Sequence, residues 1–372
     1  MLVLKRLFCN WEENDMVEMK TLGEVTTIIR GNRVTKADLV ENGEYPVISG
    51  GVNPLGYIDK TNREPNTITI AQYGTAGYIN IQRTKFWAND VCYSVYPKEG
   101  VHNEYLYYAL MNVQDYIYSL KTNAVPAHLP LASLQDVQIP IPSKSEQERI
   151  VSILDTFTSS ISNLKEQIKE RRKQYEYYRD QLLDLEGKDG VEMKTLGEIG
   201  DVCMCRRIMK NQTSDKGDIP FYKIGTFGSV PDSYISRDLF ESYKKMYSYP
   251  NKGDLLISAS GTIGRIVVFD GKEAYFQDSN IVWIDNNEEI VTNSFLRYLY
   301  EIIEWKTDGG AIKRLYNYNI RSAIIHIPSK EEQHRIVTIL DQFEASIANL
   351  EAQLKERKKQ YEYYRNQLLT FE

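Results

Sequence analysis

Two Gly-Thr-x-Gly segments are where this chain could first do chemistry: Gly74-Thr75-Ala76-Gly77 and Gly261-Thr262-Ile263-Gly264. Each follows a β-prone run, Thr67–Tyr73 or Asp254–Ser260, and precedes another, Tyr78–Ile81 or Arg265–Phe269, so each reads as a tight turn between strands. Glycine lets backbone approach a ligand closely. A dinucleotide site would need a helix directly after the glycines, and the pattern offers none. There is no G-x-x-x-x-G-K-[ST] phosphate loop, and His102, His128, His326 and His334 form no H-E-x-x-H. Cys9, Cys92, Cys203 and Cys205 lack paired metal spacing, and Cys203-Met204-Cys205 is too tight for a C-x-x-C site, which points to a reduced, cytosolic chain. No N-P-P-[FY] or D-P-P-[YW] segment of an aminomethyltransferase occurs; Asn53-Pro54-Leu55-Gly56 does not match. No nucleophile–base set stands out. The expectation is a recognition or scaffolding protein with no catalytic residue, metal or cofactor of its own.

The same residues suit base reading. Arg, Asn and Gln pair with purine edges through two hydrogen bonds. Downstream of each turn lies a polar loop, Thr122–Pro130 or Asp308–Asn319. The candidate DNA-contacting set is therefore Gln72, Tyr73, Gly74, Thr75, Gly77, Asn123 and His128 in the first half, and Ser260, Gly261, Thr262, Gly264, Lys313, Arg314, Asn317 and Asn319 in the second. The bland readings are a simple turn for each glycine pair and a solvated pair for Lys313 and Arg314. Charge argues against a strongly basic binder: the net charge is −6, spread evenly, with −2 over residues 17–142 and −1 over 191–328. Without partners the chain should bind DNA weakly, since tight non-specific binding needs many phosphate contacts.

The elements that position these residues are duplicated. Ser143–Glu186 recurs as Ser329–Glu372, with 30 of 44 positions identical. Apolar residues at Ile150, Leu154, Phe157, Ile161, Leu164, Ile168, Tyr175, Tyr178, Leu182 and Leu185 step by four and three, with Arg171 in the one polar slot. This is a heptad seam. The second copy repeats it through Leu340, Phe343, Ile347, Leu350, Leu354, Tyr361 and Leu368, with Arg357 in the polar slot. Each helix would span about 60 Å. Lys169–Lys173 reads as a solvated face, with phosphate contact as the alternative.

Before each helix stands a globular segment. Val17–Glu24 recurs as Val191–Glu198, while the middles diverge and the second is longer. Each reads as mostly β, with further strands at Val91–Tyr96 or Ile281–Ile284, a helix at about Asn103–Leu120 or Ser294–Trp305, and a last strand at Val137–Ile141 or Ile324–Ile327. Only residues 187–190 join the first helix to the second globular segment, so helices pairing within the chain should run antiparallel. The expected fold class is α+β: two pseudo-symmetric, mixed α/β but mostly β heads at the ends of a long antiparallel two-helix coiled coil. The divisions are 1–16, an N-terminal extension that is either a start upstream of Met16 or Met19 or a short extra helix; 17–142, the first head; 143–186, the first helix; 187–190, a linker; 191–328, the second head; and 329–372, the second helix. No apolar run reaches membrane-spanning length, and residues 1–16 make a poor signal peptide.

Two heads that each exit through Ile-x-Ile-Pro-Ser (Ile139–Ser143, Ile325–Ser329) into E-Q-x-R-I-V-x-I-L-D-x-F resemble the specificity subunits of type I restriction–modification systems over residues 17–372. The resemblance implies a cytoplasmic DNA-binding subunit with two target-recognition domains, each reading half of a bipartite asymmetric site in double-stranded DNA. It implies that the helices set the spacing and dock two modification (methyltransferase) subunits. Those subunits use S-adenosylmethionine to methylate adenine, and restriction/translocase subunits using ATP and Mg can join. The competing expectations are a structural coiled-coil protein with two ligand-binding heads, not acting on DNA, and a divergent enzyme with an unrecognised site.

Overall fold

The computed structural model describes residues 17–308 and 313–371. The extension expected at residues 1–16, part of the second polar loop and Glu372 lie outside them. The chain forms two compact units: one runs to Glu166 and takes in residues from Glu351 onward, and the other is Gln167–Leu350. The division cuts through both long helices, not through the linker.

In chain order the first unit contains β1 (Glu18–Thr21), α1 (Leu22–Val25), β2 (Thr26–Arg30), β3 (Tyr45–Ile48), β4 (Tyr57–Ile58), β5 (Thr67–Ala71), β6 (Ile79–Gln82), β7 (Trp87–Ala88), β8 (Cys92–Pro97), α2 (Asn103–Asn112), α3 (Gln114–Ser119), α4 (Leu131–Gln135), β9 (Gln138–Ile141) and the start of α5 (Lys144–Leu183). A capping box starts α1: the Thr21 amide donates to Glu24 at 2.6 Å, and the Glu24 amide donates to Thr21 Oγ1 at 3.3 Å. Strands β2-β8-β5-β6 form the main antiparallel sheet. Its inner strand β5 is buried throughout, as its unbroken β-prone run requires. An outer sheet has the order β4-β3-β7, with β3 and β7 parallel, and β1 pairs with β9. The single helix expected over Asn103–Leu120 is instead two, α2 and α3, parted at Val113, whose backbone leaves helical values at φ −103 and ψ 16.

The second unit repeats the frame strand for strand. After the end of α5 come β10 (Glu192–Thr195), α6 (Leu196–Ile199), β11 (Gly200–Met204), β12 (Ile219–Tyr222), β13 (Tyr234–Ile235), α7 (Arg237–Met246), β14 (Leu255–Ser258), β15 (Ile266–Val268), β16 (Tyr275–Phe276), β17 (Ile281–Asn286), α8 (Asn293–Ile302), α9 (Asn317–Arg321), β18 (Ile324–Ile327) and the start of α10 (Lys330–Leu369). The sheet orders are β11-β17-β14-β15, β13-β12-β16 and β10-β18. Helix α7 has no counterpart among the described elements of the first unit, where the chain passes from Ile58 to Thr67 with a single bridge, Arg63 to Phe86, and no helix. It fills most of the extra length of the second head, and the sequence pattern did not anticipate it.

Within each unit the long helices pair antiparallel. In the first, Ile150 and Leu154 of α5 share a core with Leu368 and Leu369 of α10, and Phe157 packs on Tyr364 with ring centroids 5.2 Å apart. In the second, Leu183 and Leu340 share a core that Tyr175 and Leu182 adjoin, and Tyr178 stacks on Phe343 at 5.4 Å. Leu164 and Ile168 are buried, whereas Ile161, Ile347, Leu350, Leu354 and Tyr361 are half-buried. The polar-slot arginines lie over aromatic faces, Arg171 over Phe343 and Arg357 over Phe157.

The repeated E-Q-x-R-I-V-x-I-L-D-x-F segment now has a physical account. The side chain of Gln147 is buried; its amide donates to Gly100 O and Pro142 O and accepts from the His102 amide, at 2.8–3.0 Å. Gln333 makes the same three bonds with Ile290, Pro328 and Thr292. Tyr108 Oη of α2 donates to Asp155 at 2.5 Å, and Tyr298 Oη of α8 to Asp341 at 2.6 Å. Burial first, and then the carboxylate acceptor, push both phenols up, so each stays a donor. These contacts fix each head to the helix that leaves it.

Candidate nucleic-acid interface

In each head the Gly-Thr-x-Gly turn and the polar loop, far apart in sequence, meet at the end of the strand that follows β4 or β13. In the first head the Leu129 amide donates to Gln72 O at 2.9 Å. Tyr73 and His128 form a β-bridge, and their rings stack at 5.3 Å with a 22° tilt. His128 Nδ1 lies 3.0 Å from Thr122 Oγ1, so the loop fixes the ring. The turn is pinned in turn: both the amide and Oγ1 of Thr75 donate to Gly50 O at 2.8 Å. Gly74 has φ +69, and a Cβ there would meet Gly50 O at 2.6 Å. Only glycine fits.

In the second head the Leu315 amide donates to Ala259 O at 2.9 Å, the same bond in the same place. Ser260 Oγ donates to Asn280 at 2.9 Å, and the Arg265 guanidinium to Phe227 O at 2.8 Å. Arg314 donates to the carbonyl and hydroxyl of Ser279, both at 2.8 Å. Asp308 receives Tyr318 Oη and the Asn319 amide group. Those two donors hold the Asp308 carboxyl below the usual carboxylate range, and the same bond raises the Tyr318 phenol.

The structure brings the candidate set together head by head, but two members change role. Gln72 is 8 % exposed and Asn319 7 %, which corrects the expectation that they present free amide edges. Gln72 follows directly on the buried β5, in the head's interior. Asn319 sits in α9, where its Oδ1 accepts from the Tyr316 amide at 3.0 Å. Gly77 is buried against Tyr118, and Tyr73, His128, Ser260, Gly264 and Arg314 are half-buried. Gly74, Thr75, Asn123, Gly261, Thr262, Lys313 and Asn317 are exposed. Sequence reasoning missed Asn280 and Arg265, which brace the second turn, and the exposed Tyr316 and Tyr318. An aromatic repeat two residues apart inside a polar loop was the available signal for the tyrosines. Among the described residues no group of three or more His, Cys, Asp or Glu could hold a metal ion, and no helix is long and apolar enough to cross a membrane.

Comparison with known proteins accords with this geometry. The type I restriction modification DNA specificity domain matches twice, at residues 14–171 and 188–359. A protein of Haemophilus influenzae named as a type I restriction enzyme specificity subunit is 47 % identical over 377 residues, covering 96 % of this chain and 97 % of that one. The EcoR124I/EcoR124II specificity subunit of Escherichia coli is 32 % identical over 268 residues, 64 % of each chain. The crystal structure of the type I restriction-modification S subunit from M. genitalium superposes with a TM-score of 0.68 over 98 % of both chains, at 19 % identity, a likeness of fold. With two heads that each carry a turn–loop surface and a helix, and with both halves matched, this chain belongs to the type I restriction–modification DNA specificity subunit family.

Proposed function

We propose that each head reads one half of a bipartite, asymmetric site in double-stranded DNA, that the length of the long helices sets the spacing between the halves, and that the helices dock two modification subunits. Those partners carry the S-adenosylmethionine and methylate adenine; restriction/translocase subunits supply ATP- and Mg-dependent steps. This chain contributes base contacts and geometry, and acts in the cytoplasm where the DNA is. The observation that carries the reading is one frame with two faces. Both heads have the same strand order and the same loop-to-turn bond, Leu129 to Gln72 and Leu315 to Ala259, but present different side chains around it.

Head exchange tests the division. Replacing residues 25–138 with those of a relative should change one half of the methylated sequence and leave the other half and the spacer intact. Inserting four residues, about 6 Å of helix, near Arg171 and near Arg357 together should lengthen the spacer and keep both halves. The readout is the set of methylated adenines in cells carrying each variant. A single exchange that altered both halves would overturn the reading.

A further inference from the structure

In the second head two large rings stand in water in a fixed arrangement. Tyr316 and Tyr318 are 42 % and 59 % exposed, with centroids 5.8 Å apart and planes within 6°. Neither belongs to a hydrophobic core. Both are nevertheless held. Tyr318 Oη is bonded to Asp308, which also takes the Asn319 amide group at 2.9 Å, and Asn319 accepts from the Tyr316 amide at 3.0 Å. The Arg314 guanidinium, tied to Ser279, lies 5.9 Å over the Tyr316 ring. Rings ordered in advance lose little further conformational freedom on binding, which is the property of an aromatic contact element.

The first head supplies an independent observation. Its stacked pair at the same junction is Tyr73 and His128. At the positions 186 residues before Tyr316 and Tyr318 it has Pro130 and Ala132, so the two pairs are built from different places in the sequence. A framework that arrives twice at a stacked pair beside the turn, by different residues, uses the pair for something that differs between the heads. On the reading proposed above, base identity is what differs.

We infer that Tyr316 and Tyr318 are specificity-determining residues: their rings contact base edges of duplex DNA and set the base preference of the half-site that the second head reads. This rests on the reading of the chain as a two-headed DNA reader. Apolar ring surface suits the methyl-bearing edge of a thymine, and Arg314 beside it is held by Ser279 in a positioning role.

The test uses the full chain assembled with its modification subunits, and reads the methylated sequence motif and the methylation rate. Y316A/Y318A should cut methylation of the original site about tenfold, the scale of one good base contact. It should also broaden base tolerance at one or two positions of a single half-site. Y316F, which keeps both rings and the Tyr318–Asp308 bond, should preserve the motif, and the melting temperature of the alanine variant should stay near that of the parent. An unchanged motif with a rate within about twofold would overturn the inference, as would equal loosening of both half-sites. The parent complex separates the two claims. A split site in the parent with an unchanged variant sinks only the tyrosine assignment. A parent that methylates no split site sinks the reading beneath it as well.

Discussion

Near the helices the two units are almost interchangeable; away from them they are not. On the helix side, Leu22, Ile139, Ile150 and Leu154 in one core answer Leu196, Ile325, Ile336 and Leu340 in the other. On the far side the first unit gathers a small cluster of Val34, Val47 and Ile58, with Leu39 and Trp87 half-covered. The second buries Phe221, Phe227, Phe240, Phe269, Tyr275, Phe276 and Trp283 together, with α7 contributing Phe240. The outer sheets have the same order in both units, so sheet topology does not account for the difference. What surrounds the helices is fixed by packing that both units share, while the outer lobe varies in size, helix content and exposed side chains. Binding faces commonly diverge over a constant scaffold in this way.

Three changes would break or sharpen this comparison. The largest effect should come from Phe240→Ala, which removes a fully buried ring from the larger outer core of the second head. About 3–5 kcal/mol is expected. Hydrogen exchange should rise in β16 and β17 while β7 and β8 stay protected, and equal loss in both units would break the contrast between outer lobes. Next come Gln147→Leu and Gln333→Leu. Each leaves two carbonyls and one amide without a partner, at roughly 1–3 kcal/mol. Exchange at the His102 and Thr292 amides should quicken by similar factors; strongly unequal factors would show that the helix-side frames are not equivalent.

The smallest effect tests an asymmetry within the shared frame. In the second unit Arg179 and Arg297 meet Glu301, and Arg297 also meets Glu344. In the first unit Met111 and Thr158 stand where Glu301 and Glu344 do, and Arg365 Nε is buried with no hydrogen-bond partner among the described residues. Met111→Glu should give Arg365 an acid and raise thermal stability slightly, by under about 1 kcal/mol. A lowered melting temperature would show that the arginine needs no acid there.

The legible part of this protein was the part that repeats or alternates. The seam from Ile150 to Leu182 announced itself by its spacing, and β5 and β14 by their β-prone runs. Helix α7 was not legible, because Arg237–Met246 is short, half charged, and carries a single fully buried residue, Phe240. Nor could spacing show that Gln147 and Asp155 bond to a head, because their partners lie 45 and 47 residues away in sequence. The candidate site was half legible. Polar loops flagged Asn123, Lys313 and Asn317, which are exposed. Residue type flagged Gln72 and Asn319, which are buried because strand and helix placement, not polarity, decides which way a side chain points.

The seam has a consequence for synthesis. The first head's core includes Leu368 and Leu369, with Tyr361, Tyr364 and Phe371 packed on it. The second unit is complete by Leu350. Domains usually close in the order in which the ribosome releases them. Here the first unit's core draws on Leu368 and Leu369, which leave the ribosome after every residue of the second unit, so the expected order of completion is the reverse of the order of the heads. A stop codon just after Leu350 therefore leaves the second head whole and opens the first.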